Sequence, residues 1–193
     1  MAGKTTRAVS KEEFENIITA IRTGFMLDGH RVKPNEKIAT ALVLEANLGM
    51  RIGDILNLRL KNIVLENGRY HLDVMEQKTG KKRTFTVPAD IYIYIQNYAI
   101  KNNIKPEQKL FNLSVREVQH HLQLTCKYLG IEGVGTHSFR KFFAQQIYKN
   151  SNYNIELVRT LLQHSSIAIS QRYIGISTKE VEEALQNNIN LPA

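Results

Sequence analysis

A change of hydrophobic period in the middle of the chain constrains the fold more than any other feature of the sequence. Before and after it, apolar residues recur every three or four positions, which predicts amphipathic helices. Between positions 62 and 87, three short β-rich runs replace this pattern, at 62–65, 69–77 and 83–87. Asn67-Gly68 suits the first hairpin turn, and residues 78–82 form the second. We therefore expect an α+β fold that is mostly helical, with a small three-stranded antiparallel sheet.

The predicted helices have clear start signals. Ser10 with Glu13, and Ser114 with Glu117, have the spacing of capping boxes, in which each residue satisfies a backbone N–H of the other. We predict a loop at 24–33, and helices that begin near positions 10, 34, 51, 91, 114, 137, 154, 166 and 177. Residues 1–9 are predicted to be a flexible segment or linker, and residues 10–193 a single domain.

The charge balance favours a polyanionic partner. The formal net charge is +8 and the pI is near 9.6, without a block of like charges that would form a basic tail. Tryptophan is absent, so duplex phosphates suit this chain better than a base-stacking platform for single strands. No apolar run approaches the roughly 20 residues that span a bilayer, and the N-terminus lacks a signal-peptide core. We expect a cytoplasmic protein that binds double-stranded DNA and no membrane.

The single cysteine limits redox and metal chemistry. Cys126 excludes an internal disulfide and argues against a thiolate zinc site. It lies on the apolar face of a predicted helix, where a small buried side chain is the expected role. The sequence also has no compact carboxylate cluster of the kind that two-metal nucleases need. We expect no metal and no cofactor.

Candidate reactive residues concentrate between positions 136 and 173. His137 and Arg140 are three residues apart, so a helix places both on one face. A guanidinium there can bind a phosphate through two parallel hydrogen bonds, and an imidazole can move a proton. His164 and Tyr173 follow. Taken singly, each of these residues is more often structural than catalytic, and a surface face of the helix explains the first pair equally well.

Two basic features lie upstream. Arg51 follows the Gly49 helix stop and precedes Asp54 by one turn, which suits either a local surface pair or an arginine steadied by a carboxylate. The turn at 78–82, followed by Arg83, is rich in lysine. Such a tip is usually solvated, but it can also enter a DNA groove. Its candidate DNA-binding residues are Lys81, Lys82 and Arg83.

Together, these fragments resemble the catalytic set of the tyrosine recombinases, the phage integrase family. The resemblance extends from about Ser10 to Ile189. It rests on five fragments in the family's order, namely Arg51, Lys78, His137-Ser138-Phe139-Arg140, the segment 161–166 with His164, and Tyr173. The basic hairpin tip is more similar to integrases of phages and mobile elements than to Xer resolvases. Gln163 departs from the pattern, since the family usually has glycine before this histidine.

The resemblance implies a mechanism of site-specific DNA recombination. Tyr173 would attack the scissile phosphate, forming a 3′-phosphotyrosyl intermediate and releasing a 5′-hydroxyl. Arg51 and Arg140 would hold the non-bridging oxygens, and Asp54 would support the first arginine. A guanidinium stays charged and binds two oxygens at once, so this clamp requires no metal.

The resemblance also assigns the proton-handling residues. His137 would assist proton transfer at the tyrosine, and His164 would hydrogen-bond the phosphate. Lys78 would protonate the leaving 5′-oxygen, although Lys81 and Lys82 keep the identity of this lysine open. Among the other tyrosines, Tyr153 is the alternative nucleophile, since it lies in a polar loop of the same region.

Three other functions remain as alternatives. A type IB topoisomerase uses similar residues but relaxes supercoils without exchanging partners. A non-catalytic DNA-binding remnant would keep the fold and lose the reaction. A metal-dependent hydrolase built on His137 and His164 is the third, and loss of cleavage in EDTA would favour it.

The resemblance carries expectations about assembly. Family members normally have an N-terminal core-binding domain, which this sequence lacks, so we expect a catalytic domain in isolation. A last amphipathic helix begins near Ser177, with Val181, Leu185 and Ile189 in line. This helix is expected to pack on a neighbouring protomer in a homotetramer on DNA attachment sites, with accessory DNA-bending proteins as further partners.

Overall fold

The computed structural model describes residues 6–75, 80, 82–175, 182 and 186. Its helices are α1 (Lys11–Thr23), α2 (Glu36–Leu48), α3 (Ile52–Leu56), α4 (Ala89–Lys101), α5 (Val115–Leu129), α6 (Thr136–Asn150), α7 (Ile155–Leu162) and α8 (Ile167–Ile174). Its strands are β1 (Phe25–Leu27), β2 (His30–Val32), β3 (Ile63–Glu66), β4 (Arg69–Met75) and β5 (Lys82–Val87). A 3₁₀ turn, Leu60–Asn62, precedes β3. None of the helices in these ranges combines the length and apolar character needed to cross a membrane.

The predicted capping boxes both form. At the start of α1, the Ser10 hydroxyl accepts the Glu13 N–H at 3.1 Å, and the Glu13 carboxylate accepts the Ser10 N–H at 2.8 Å. Ser114 and Glu117 make the same exchange at the start of α5. Each box satisfies backbone donors that the first helical turn leaves without partners, so these helices begin where the sequence predicts.

The predicted three-stranded sheet is confirmed as an antiparallel meander, β3-β4-β5. Its first turn places Asn67 at φ 49° and Gly68 at φ 74°, a pairing that matches the twist of the strands. The last residue pair between β4 and β5 is Met75 with Lys82. Lys78 and Lys81, in the basic turn that connects these strands, lie outside the described residues.

The predicted loop at 24–33 is wrong, because this segment forms a second sheet. β1 and β2 pair as a hairpin around Asp28 and Gly29, which both have positive φ. Asp-Gly is a strong signal for this turn, but the flanking strands are too short to show alternation. The hairpin is held against α5, because the ring of Phe25 in β1 stacks on Tyr128 of α5 at 4.4 Å between centroids.

The apolar side chains form two cores. The larger one joins α1 to α5, the sheet β3-β4-β5 and the start of α6, and it includes Ile17, Leu42 and Phe139. The smaller one lies between the second half of α6, α7 and α8; its buried members are Ala144, Val158, Leu162 and Ile174. Helix α6 therefore spans both cores, and residues near its middle lie at their boundary.

Residues 6–9, within the segment predicted to be flexible or a linker, make specific contacts. Val9 is buried in the larger core. The Arg7 N–H donates to the Gly133 carbonyl at 2.9 Å, and its guanidinium forms an ion pair with Glu13. The Lys141 ammonium of α6 donates to the Thr6 carbonyl. This segment is thus fixed across the beginning of α6.

At the C-terminal end of the chain, the predicted helix from Ser177 lies outside the described residues, apart from Glu182 and Gln186, which are helical.

A fully buried carboxyl group lies on α2, where the Arg140 guanidinium acts on it. The Glu45 side chain is fully buried, and neither of its oxygens has a hydrogen bond of ordinary geometry among the described residues. Burial raises the pKa of Glu45 well above its usual range, while the Arg140 guanidinium and the Ile52 N–H partly offset this increase. The neutral form of this side chain therefore suits its surroundings better than the charged form.

The Glu45 environment predicts a pH-dependent stability difference. The folded protein binds a proton at Glu45 more tightly than the unfolded chain, so this group's contribution to stability falls as pH rises from roughly 4 towards the raised pKa. Glu45→Gln mimics the neutral acid. We expect its free energy of unfolding to exceed that of the wild type by on the order of 1 kcal/mol at pH 7. Urea denaturation at several pH values should show this difference shrink towards pH 4; a constant or growing difference would contradict it.

The end of α2 generates a second prediction. Gly49 and Gly130 both terminate helices in the left-handed region, with φ of 58° and 67°. A Cβ on Gly49 would lie 2.3 Å from the Phe143 ring, whereas a Cβ on Gly130 meets nothing within 4 Å. Gly130→Ala should therefore cost about 1–2 kcal/mol for the backbone alone.

Gly49→Ala should cost roughly 1–3 kcal/mol more than this control, because Phe143 must also move. The measurement is the free energy of unfolding of both variants in urea. Equal losses would mean that the Phe143 ring shifts without penalty.

Candidate active site

Helix α6 presents two of the predicted residues at different depths. The helix begins at Thr136, and the Gly135 N–H donates to the Ser138 hydroxyl at 3.0 Å, which fixes the first turn. His137 is exposed on this turn. Arg140, one turn further along, has 0% of its surface exposed. The spacing thus places both residues on one side of α6, as predicted, but Arg140 lies beneath the surface.

Arg140 connects two distant backbone segments. Its guanidinium donates to the Gly49 carbonyl and, at 2.8 Å, to the Leu162 carbonyl. Gly49 ends α2 two residues before Arg51, and Leu162 ends α7 two residues before His164. Because the charged group bonds both carbonyls, it fixes the segments that carry Arg51 and His164 relative to α6.

The turn between α7 and α8 positions His164. The chain leaves α7 through Gln163, which adopts a left-handed conformation with φ 53°. His164 then lies almost completely buried, and a hydrogen bond of 3.0 Å joins its Nδ1 to the Ser170 hydroxyl. Ser170 is itself fully buried on α8. This bond determines the orientation of the imidazole ring, since it engages one of the two ring nitrogens.

Tyr173 lies where α6, α7 and α8 meet. Its hydroxyl is 3.1 Å from Nε2 of His137, at hydrogen-bonding distance. Its ring is half-buried in the smaller core and lies edge-on to His164, with 4.6 Å between the ring centroids. Two imidazoles therefore flank the phenol, although His137 and His164 are 27 residues apart in the sequence.

Two further residues of this site were not predicted. The ammonium of Lys141 lies 5.7 Å from the centroid of the Tyr173 ring, and burial lowers the pKa of this lysine. The sequence offers one signal for Lys141, which is its position directly after Arg140. However, two adjacent basic residues on a helix usually belong to a solvated surface. Ser170 precedes Tyr173 by three residues on α8, which places both on one face of that helix.

The other predicted residues fall into three groups. Arg51 is the N-cap of α3 and partly exposed, and Asp54 is buried in the first turn of the same helix. Lys82 is exposed at the start of β5 and forms an ion pair with Asp73 at 3.2 Å. Lys78, Lys81 and the Arg83 side chain lie outside the described part of the structure.

Metal ligands do not cluster in the described ranges. Within residues 6–75, 80, 82–175, 182 and 186, no three His, Cys, Asp or Glu side chains are grouped so that they could hold a metal ion. The reactive groups that the geometry brings together are a phenol, two imidazoles, a buried guanidinium and an ammonium. Such a set can hold an anion and move protons.

Sequence comparisons relate this chain to known integrases and recombinases. The probable integrase/recombinase YoeC of Bacillus subtilis is 29% identical over 150 residues, which cover 74% of this chain and 79% of that protein. Tyrosine recombinase XerA of Pyrococcus furiosus is 26% identical over 193 residues, covering 93% of this chain and 61% of XerA.

Solved structures show the same fold. XerH recombinase bound to a palindromic difH substrate, in a post-cleavage complex, matches with a TM-score of 0.72 and 21% identity, covering 96% of this chain but 54% of XerH. The catalytic domain of bacteriophage HP1 integrase matches with a TM-score of 0.62 and 17% identity, covering 95% of both chains. The chain thus spans little more than half of XerH and nearly all of the HP1 catalytic domain.

The family assignment rests on a match along most of the sequence. The family model described as the phage integrase family matches residues 7–180, which include Arg51, His137, Arg140, His164 and Tyr173. The predicted mostly helical fold with a small antiparallel sheet is confirmed by these structural matches. The relatives include Xer recombinases and a probable integrase/recombinase of Acholeplasma phage L2. The chain belongs to the phage integrase family.

Proposed function

We propose that this chain catalyses site-specific DNA recombination, in which a mobile element is integrated or excised through a 3′-phosphotyrosyl intermediate. The observation that carries the proposal is the contact between the Tyr173 hydroxyl and His137 Nε2, at 3.1 Å. A phenol placed next to a proton acceptor, in a strongly basic chain, suits nucleophilic attack on a DNA phosphate. Structures of XerH and of Tn1549 transposon integrase contain DNA, and this supports a DNA substrate.

The first step is activation of the nucleophile. A phenol is mostly protonated at neutral pH, so Tyr173 must lose its proton as its oxygen bonds to phosphorus. His137 is exposed and within hydrogen-bonding distance, and it accepts this proton. The Lys141 ammonium, 5.7 Å from the ring centroid, stabilises the negative charge that develops on the phenol.

The two arginines stabilise the phosphate. Arg51 and Arg140 donate to the non-bridging oxygens, and Asp54 supports Arg51 from the same helix. The Arg140 guanidinium is held by the carbonyls of Gly49 and Leu162, so it does not have to be oriented at the moment of reaction. Since Arg140 has 0% exposure, the side chains that cover it must move before a phosphate reaches it.

Departure of the 5′-oxygen completes cleavage. As the new bond between the tyrosine oxygen and phosphorus forms, the bond from phosphorus to the 5′-oxygen breaks, and this oxygen takes a proton. Family resemblance assigns that proton to Lys78, while His164 donates to a phosphate oxygen. A 5′-hydroxyl of another strand then reverses the chemistry, which conserves the phosphodiester energy without ATP.

The remaining parts of the proposal concern the assembly. The net charge of +8 suits duplex attachment sites, and Lys81, Lys82 and Arg83 contact DNA from the basic turn. The reaction is independent of metals and takes place on DNA in the cytoplasm. The chain acts as a homotetramer on DNA through its C-terminal helix, with accessory DNA-bending proteins as partners.

Covalent trapping tests the nucleophile. A duplex with a candidate attachment site and a nick beside the scissile phosphate releases a short strand after cleavage, so the protein–DNA adduct accumulates. We expect the wild type to form this adduct and Tyr173→Phe to lose it by a factor on the order of 10³ or more. The Phe variant keeps the ring in the smaller core, so its stability and DNA affinity should change little.

Tyr153→Phe is the matched control. Tyr153 is 66% exposed in the same region, and the Tyr153→Phe variant should form the adduct at the wild-type rate. An adduct that survives in Tyr173→Phe but not in Tyr153→Phe would move the nucleophile to Tyr153. Loss of the wild-type adduct in EDTA would overturn metal independence. Relaxation of plasmids that lack an attachment site would favour a topoisomerase instead.

A further inference from the structure

Gln163 combines two local features that are unfavourable for stability. Its backbone is left-handed, with φ 53° and ψ 38°, a conformation that glycine adopts far more easily than a long side chain. In addition, its Oε1 is buried without a hydrogen-bond partner among the described residues. The left-handed backbone ends α7, with the Gln163 N–H donating to the Thr160 carbonyl and the His164 N–H to the Arg159 carbonyl, but neither bond uses the Gln163 side chain. A glycine would make the same backbone bonds.

The amide of Gln163 makes a long-range contact. Its Nε2 donates to the Lys82 carbonyl at 3.0 Å, across 81 residues of sequence. Lys82 is the first residue of β5, which is an edge strand of the meander. An edge strand has backbone groups without a neighbouring strand, and here a side chain supplies the donor.

The contact lies beside the reactive groups. Lys82, Gln163 and His164 line one cleft of about 440 Å³, together with Arg159 and Thr160. One wall of this cleft is the start of β5, and another is the turn that positions His164. The Gln163 amide therefore joins the sheet to the helical half of the site at the point where the basic turn returns to the body of the protein.

We propose that Gln163 is a positioning residue, which holds the β4–β5 hairpin against the His164 turn so that the basic turn delivers its proton to the leaving 5′-oxygen. This inference rests on the proposed function. Lys82 is the β5 end of the basic turn, so fixing the Lys82 backbone fixes one end of that turn relative to the His164 turn. The strained backbone and the buried amide oxygen are retained because the tether improves catalysis.

The decisive variant is Gln163→Gly, because it separates stability from catalysis. Glycine keeps the left-handed turn and removes the amide, so we expect an unchanged or higher urea midpoint. We expect adduct formation on nicked DNA to slow by about 10–100-fold, since misplacement of a reacting group by an ångström has an effect of this size. In Gln163→Asn, the asparagine tolerates the left-handed backbone, but its side chain is shorter by one methylene. Adduct formation by this variant should be slowed similarly.

The backbone control is Asn103→Gly. Asn103 is also left-handed, with φ 54°, and it is exposed after α4, away from the cleft. Its adduct formation should match the wild type. A similar slowing in Asn103→Gly would show that the glycine backbone, and not the lost tether, is responsible, and this would overturn the proposal.

A modified leaving group identifies the affected step. In DNA with a 5′-bridging sulfur at the scissile phosphate, the bond from phosphorus to sulfur breaks, and a thiolate leaves with the electron pair and needs no proton. Gln163→Gly should cleave this substrate at nearly the wild-type rate if the tether serves proton delivery. Slowing on both substrates, or on neither, would overturn this role. A wild type that forms no adduct through Tyr173 on either substrate would overturn the proposed function itself.

Discussion

A single buried guanidinium determines how the halves of this site meet. Arg140 lies on α6 between the larger core and the smaller one, and it donates to the Gly49 carbonyl on one side and the Leu162 carbonyl on the other. These carbonyls end α2 and α7, the helices that precede Arg51 and His164. Without the guanidinium, two helix ends would lose charge-assisted donors in a site closed to water. The geometry of the candidate site and the joining of the two cores thus depend on the same side chain.

Local pattern predicted much of this arrangement. The capping boxes at Ser10 and Ser114 and the Asn-Gly turn of the meander are short-range signals, because each joins residues at most three apart. The spacing of His137 and Arg140 is equally local, and it placed both on one side of α6. The order of the candidate residues along the chain then indicated the phage integrase family, which the match over residues 7–180 confirms.

Contacts between distant segments were beyond the reach of such patterns. Lys141 reaches the Thr6 carbonyl across 135 residues, and Gln163 reaches Lys82 across 81. Neither pair has a periodic or capping signature, because each depends on how complete elements pack. The burial of Glu45 could not be predicted for a related reason: an acidic residue on an apolar helix is usually exposed at its edge. The β1–β2 hairpin was missed because strands of three residues are too short to show a period.

The small size of the second core has a dynamic consequence. Hydrophobic burial sets the free energy of local opening, and among the described residues the buried side chains of the smaller core are Ala144, Val158, Leu162 and Ile174. The α7–α8 unit can therefore open as a subglobal fluctuation while the larger core, and Arg51 on it, stay folded. Such an opening moves Tyr173 and His164 together, since one ring lies against the other. It also removes the Leu162 carbonyl from Arg140, so the position of the phenol and the surroundings of the buried guanidinium change in the same opening.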